Sequence, residues 1–133
     1  TVNEGTDGFV MYSFHNVEGF SKIGSYIGNN STDGTFVQTG FRPAFLMLVR
    51  TNDSGSFQLL DNKRNTFNST DIYLYVPGSG SENDGSTLST PINVDFLSNG
   101  FKLRTQESVY NSNGGTFLYM TFATQSFKFS NAR

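Results

Sequence analysis

Ala44-Phe45-Leu46-Met47-Leu48-Val49-Arg50 is the stretch on which the fold turns. It is continuously apolar up to Arg50, which reads as a central β-strand buried on both faces. By strand alternation Leu46 and Leu48 point to one side, and Phe45 and Met47 to the other. Asn52-Asp53-Ser54-Gly55 follows as a hairpin-type connection into Phe57-Gln58-Leu59-Leu60. The second strong strand is Thr116-Phe117-Leu118-Tyr119-Met120-Thr121-Phe122-Ala123, which leaves the Asn113-Gly114-Gly115 turn. Its Leu118 and Met120 share a face, and both are expected in the core with Phe45, Leu46, Leu48, Phe96 and Leu103.

Outward from these two strands, short apolar runs recur between Gly, Asn and Asp clusters. Residues 9–14, 22–27, 35–39, 72–76, 92–96 and 101–105 all read as strands. The total is about nine, at a spacing that predicts an all-β chain: an antiparallel two-sheet β-sandwich of jelly-roll or lectin-like kind. Residues 61–69 are the one stretch suited to a helical turn, with Asp61 placed to cap it. Residues 77–91 form a polar excursion with Leu88 as the large apolar residue between its prolines, read as a surface loop.

Composition agrees. Gly, Ser, Thr and Asn supply 58 of the 133 residues, and Ala occurs at positions 44, 123 and 132 alone. Turn formers, aromatics and β-branched residues dominate over helix formers, which excludes a helical bundle. A formal charge of -2 with few Lys and Arg gives no footprint for nucleic acid. No apolar run approaches the length of a membrane span, so membrane insertion is not expected. The absence of Cys removes disulfides and thiolate sites. The chain begins at Thr1 rather than Met, which reads as a fragment or processed product.

Catalytic material is sparse. His15 is the lone histidine, at a strand end, with no G-x-S-x-G elbow to accompany it. The carboxylates sit mostly in turn signals such as Asp33-Gly34 and Asp84-Gly85, where Asp supports the turn. Asp95 alternates with Val94 and Phe96 and should face solvent. Glu82-Asn83-Asp84-Gly85 echoes a calcium loop without the rest of its ligands. The expectation is a binding domain, not an enzyme, with no catalytic residue, no cofactor and no metal. Aromatics are the excess. Tyr73 and Tyr75 share one strand face, while Tyr110 and Asn111 precede the turn at 112–115, where side chains reach solvent. Tyr supplies stacking area and Asn both donates and accepts, so these four are the candidate ligand residues. The competing reading buries the tyrosines between subunits.

Four segments carry a family resemblance. Lys22-Ile23-Gly24-Ser25-Tyr26-Ile27-Gly28-Asn29 is similar to the opening "G-x-Y-x-G-N" strand of a domain found in tailed-bacteriophage virion proteins. Gly40-Phe41-Arg42-Pro43-Ala44-Phe45-Leu46-Met47 resembles its "G-F-x-P-x-F" segment, and Asp95-Phe96-Leu97-Ser98-Asn99-Gly100-Phe101-Lys102-Leu103 its "F-x-s-d/n-G-F-x-l" segment. Residues 113–123 resemble its closing strand. The segments run in family order. The sequence differs in having no Trp and in its very polar 77–91 loop. The resemblance implies that residues 1–133 are one β-sandwich domain, the C-terminal domain of a longer tail-fibre-like protein on the extracellular surface of a virion. It implies a homotrimer that contacts other virion proteins. Host-surface glycan is the expected ligand. The alternative is a purely structural head-fibre, decoration or tail-assembly domain, and a polysaccharide depolymerase stands third.

Overall fold

The computed structural model describes residues 8, 10–52, 57–76 and 82–125. They form two antiparallel sheets packed face to face, the expected all-β sandwich. The strands are β1 (Ser21–Ile27), β2 (Phe36–Gln38), β3 (Pro43–Arg50), β4 (Gln58–Asp61), β5 (Ile72–Tyr75), β6 (Asn83–Asp84), β7 (Val94–Leu97), β8 (Gly100–Leu103) and β9 (Thr116–Ala123). The large sheet has the order β1-β9-β3-β4-β5-β6, and the small sheet β2-β8-β7. The two decisive strands, β3 and β9, pair with each other in the interior of the large sheet.

The core lies between the sheets. Tyr26, Leu46, Leu48, Leu60, Phe117 and Tyr119 enter it from the large sheet, and Val37, Val94, Phe96, Phe101 and Leu103 from the small one. Tyr26 stacks on Phe117 with ring centroids 5.0 Å apart, while Phe101 meets Tyr119 edge-on at 5.4 Å. Tight turns suit the strand directions: β7 returns as β8 through Ser98-Asn99, pairing Phe96 with Phe101.

Several expectations need correction. Leu118 is 47 % exposed, and Phe45 and Met120 are only partly buried. They lie on the face of the large sheet turned away from the small one, because Phe117, Tyr119 and Thr121 take the inner positions of β9. For the same reason β3 is not buried on both faces: Leu46 and Leu48 point inward, and Phe45, Met47 and Val49 point out. A two-layer sandwich covers one face of each sheet. Residues 10–14 form no strand; Val10, Met11 and Tyr12 stand in solvent, and Phe9 lies outside the described residues. The ninth strand is instead β6, inside the segment read as a loop, of which residues 77–81 lie outside the described residues. The hairpin tip at 53–56 lies outside them too, though β3 and β4 pair antiparallel as expected.

Asp61 caps a turn at 62–64, accepting from the Lys63 and Arg64 backbone N–H groups, but the chain goes on through bends at 66–69 rather than as helix. The one helical turn in the described residues besides a 3-10 turn at Gly85–Thr87 is α1 (Ser108–Asn111). Glu107 caps it by accepting from the Ser108 N–H.

Candidate functional surfaces

The four candidate ligand residues divide in two. Tyr73 and Tyr75 do share a face, and it is the inner face of β5, since they pair across to Leu60 and Gln58 of β4. Tyr75, at the strand end, is 46 % exposed. Tyr73 is partly buried and packs against the core. Its ring meets Tyr110 edge-on at 6.3 Å. Its phenol pKa is raised, first by burial and then by the charges of Glu107 and Tyr75.

Tyr110 and Asn111 correct the expectation that they reach solvent: both are 0 % exposed. Helical winding at α1 rotates them inward, a turn that the polar run after Asn111 masked in the sequence. Tyr110 closes the core, accepting the Tyr26 hydroxyl at its carbonyl (2.7 Å) and reaching Gln58 with its own hydroxyl. Asn111 is a structural clasp. Its Oδ1 accepts the Asn29 backbone N–H, and its Nδ2 lies within 3.0 Å of Asn29 Oδ1, Ser31 O and Thr105 O. Glycines make room for it. A Cβ on Gly34 would come within 2.9 Å of Asn111 Nδ2, and one on Gly28 within 2.8 Å of the Asn111 carbonyl carbon. The structure thus gathers Tyr73, Tyr75 and Tyr110 at one end of the sandwich, and leaves Tyr75 and the outer part of Tyr73 as the accessible ledge.

The second surface was missed as a surface. The outer face of the large sheet carries Ile23 and Ile27 on β1, Leu118, Met120 and Phe122 on β9, Phe45, Met47 and Val49 on β3, and Leu59, Leu74 and Ile72 on β4 and β5. All are partly or largely exposed. The small sheet and α1 pack on the opposite side. Phe14 and Phe20 from the segment before β1 reach Phe122 at one corner, with centroids 6.1 and 5.7 Å away. The signal was present in the sequence: β3 and β9 are apolar at both alternating sets, one set more than a two-layer fold can bury.

The outer face of the small sheet is charged instead. Asp33 pairs with Lys102 and Arg104, and Arg104 Nε donates to Asp95 at 2.8 Å. The hydrogen bond and charge of Lys102 hold the Asp33 carboxyl below the usual carboxylate range. Asp95 is therefore paired, not simply in solvent. Glu82 accepts from Arg64, and Asp84 caps the 3-10 turn through Ser86, so neither carboxylate stands idle. Among the described residues no cluster of three His, Asp or Glu side chains is placed to hold a metal ion. His15 is exposed, with Nδ1 beside the Asn16 carbonyl.

Fold and surfaces together define a two-layer antiparallel sandwich with an aromatic ledge at one end and an apolar outer sheet face that, among the described residues, only Phe14 and Phe20 reach over at one corner. The chain belongs to the family described as a domain of unknown function, DUF7483, which matches residues 1–126. No curated protein and no solved structure matches it.

Proposed function

We propose that the chain is a non-catalytic structural domain of a tailed-phage virion protein, of tail-fibre kind, that contributes attachment to a host-surface glycan. The virion assignment rests on the four ordered segments that resemble that family, and the all-β fold is consistent with it. The observation that carries the attachment reading is the ledge. Tyr75 is exposed beside Tyr73, and Tyr73 is fixed against the buried Tyr110. A rigid aromatic pair offers its faces to the C–H surface of a sugar at low entropic cost. The Glu107 carboxylate lies close enough to Tyr73 to raise its phenol pKa, and it can accept from sugar hydroxyls.

The test is Tyr75→Ala, read by adsorption to host cells and by an array of bacterial surface polysaccharides. Lost binding with unchanged circular dichroism and unchanged mass supports the ledge. A wild-type blank on every glycan and on whole cells leaves the purely structural reading. Release of reducing sugar would replace attachment by depolymerase activity. The structural reading has its own support in the apolar outer face of the large sheet, which the described residues leave largely open.

A further inference from the structure

We infer that the outer face of the large sheet is a homotypic interface, covered in the assembled protein by another copy of this chain. The face spans five strands, β1, β9, β3, β4 and β5. At ~4.8 Å between strands and ~3.3 Å per residue, its footprint is roughly 500 Å². That is the upper end of what a monomer leaves exposed. It is below the ~800 Å² that each partner buries in a standard-size complex, and two such faces together reach the ~1,000 Å² at which specific interfaces begin.

The chemistry selects the occupant. The centre of the face, Met47, Met120, Leu118 and Val49, carries no charge and no hydrogen-bonding side chain. It offers nothing for a charged partner to recognise: Asp61, on this face of β4 across from Phe45, is already paired with Arg64, and Asp33, Lys102, Arg104 and Asp95 cluster at the opposite sheet. A surface of this kind is complementary to itself, and a second copy supplies the same area in the same shape. Two such sheets stack ~10 Å apart, side chains interdigitating as they do within a sandwich.

Edge-to-edge pairing is the other route by which sheet proteins associate, and this sheet discourages it. At one edge Asn16 Oδ1 accepts the Ile23 N–H at 2.6 Å, and the Thr35 hydroxyl donates to the Ile27 carbonyl at 2.7 Å. The other edge, β6, is two residues long. Guarded and very short edges are how β proteins avoid lateral pairing, which leaves the face as the contact. Tyr73 and Tyr75 point from the inner side of the same sheet, so the interface and the ledge do not compete.

The test is sedimentation of the full chain between about 1 and 100 µM, with Leu118→Lys, Leu118→Thr and a control, Phe36→Lys, on the outer side of the small sheet. Leu118 and Phe36 are similarly exposed, 47 % and 42 %, so both sites tolerate a polar side chain in the single chain. Circular dichroism checks that each variant is folded. The expected result is a wild-type oligomer whose association constant falls at least ~10-fold in both Leu118 variants and is unchanged in Phe36→Lys. A wild-type monomer at 100 µM overturns the inference. So does an oligomer that survives Leu118→Lys, or one that Phe36→Lys dissociates equally well.

Discussion

Asn111 shows why residue type alone misled. An Asn ahead of Ser112-Asn113-Gly114 looks like one more polar turn residue, yet it is fully buried with its amide shared among three carbonyl-type acceptors. A buried amide is worth most through the groups it keeps satisfied. Asn111→Ala leaves the Asn29 N–H and the Thr105 carbonyl without this partner, and should destabilise the fold by ~2–4 kcal/mol in urea unfolding. A loss below a few tenths would mean that water replaces the amide at no cost. Gly34→Ala should act on the same joint, since its Cβ would also sit 2.5 Å from the Leu103 carbonyl oxygen. The two substitutions together should cost less than the sum of each alone, because they loosen the same contact.

At the scale of the element, β9 is the informative strand. Its neighbours Phe117 and Leu118 are both large and apolar, and the fold treats them oppositely: Phe117 is wholly buried and Leu118 is open. Phe117→Ala should cost ~3–5 kcal/mol, through lost packing and the cavity left beside Tyr26. Leu118→Ala should stay within ~0.5 kcal/mol in dilute solution, where the single chain is measured. Equal losses would show that the outer face is covered within one chain. The strand itself, its antiparallel pairing and its interior position were legible in the sequence, because apolar length and flanking turns determine them. Which of its two sets faces inward was not, because both sets are apolar and periodicity carries no sign. The same limit applies to Phe45 and Leu46. By contrast Phe96 and Leu103, which alternate with polar residues, were assigned correctly. The four-residue α1 was out of reach because one turn is too short to show a period. The strand expected at 10–14 failed for the opposite reason: its apolar residues had the right composition but no sheet edge to join.

For the whole molecule, the core is unusually phenolic. Tyr26 and Tyr110 are buried, and burial pushes both phenols well above their ordinary value. A raised pKa in the fold means that the neutral phenol is the folded form. The stability it confers is intact below about pH 10, the value in the unfolded chain, and drains away as pH rises further. Alkaline titration should therefore show tyrosinate absorbance from these residues appearing together with loss of the sheet signal in circular dichroism. Ionisation of all six tyrosines with the sheet signal unchanged would show that the core admits water or charge. The candidate site was half legible at this scale. Tyr73 and Tyr75 were correctly paired on one face by alternation, but whether that face looked toward solvent or toward the core depended on packing between sheets.

The Asn16 and Thr35 contacts along β1 bear on how the chain behaves when it is crowded. At high concentration, bare strand margins zip chains into endless ribbons. Two small side chains, each occupying one backbone group, act as a brake on that polymerisation. Growth through a face ends when the face is covered, whereas growth through a margin always presents a new margin. Asn16→Ala, which frees the Ile23 N–H, should leave the fold intact and raise the rate of thioflavin-positive fibre formation on concentrated storage.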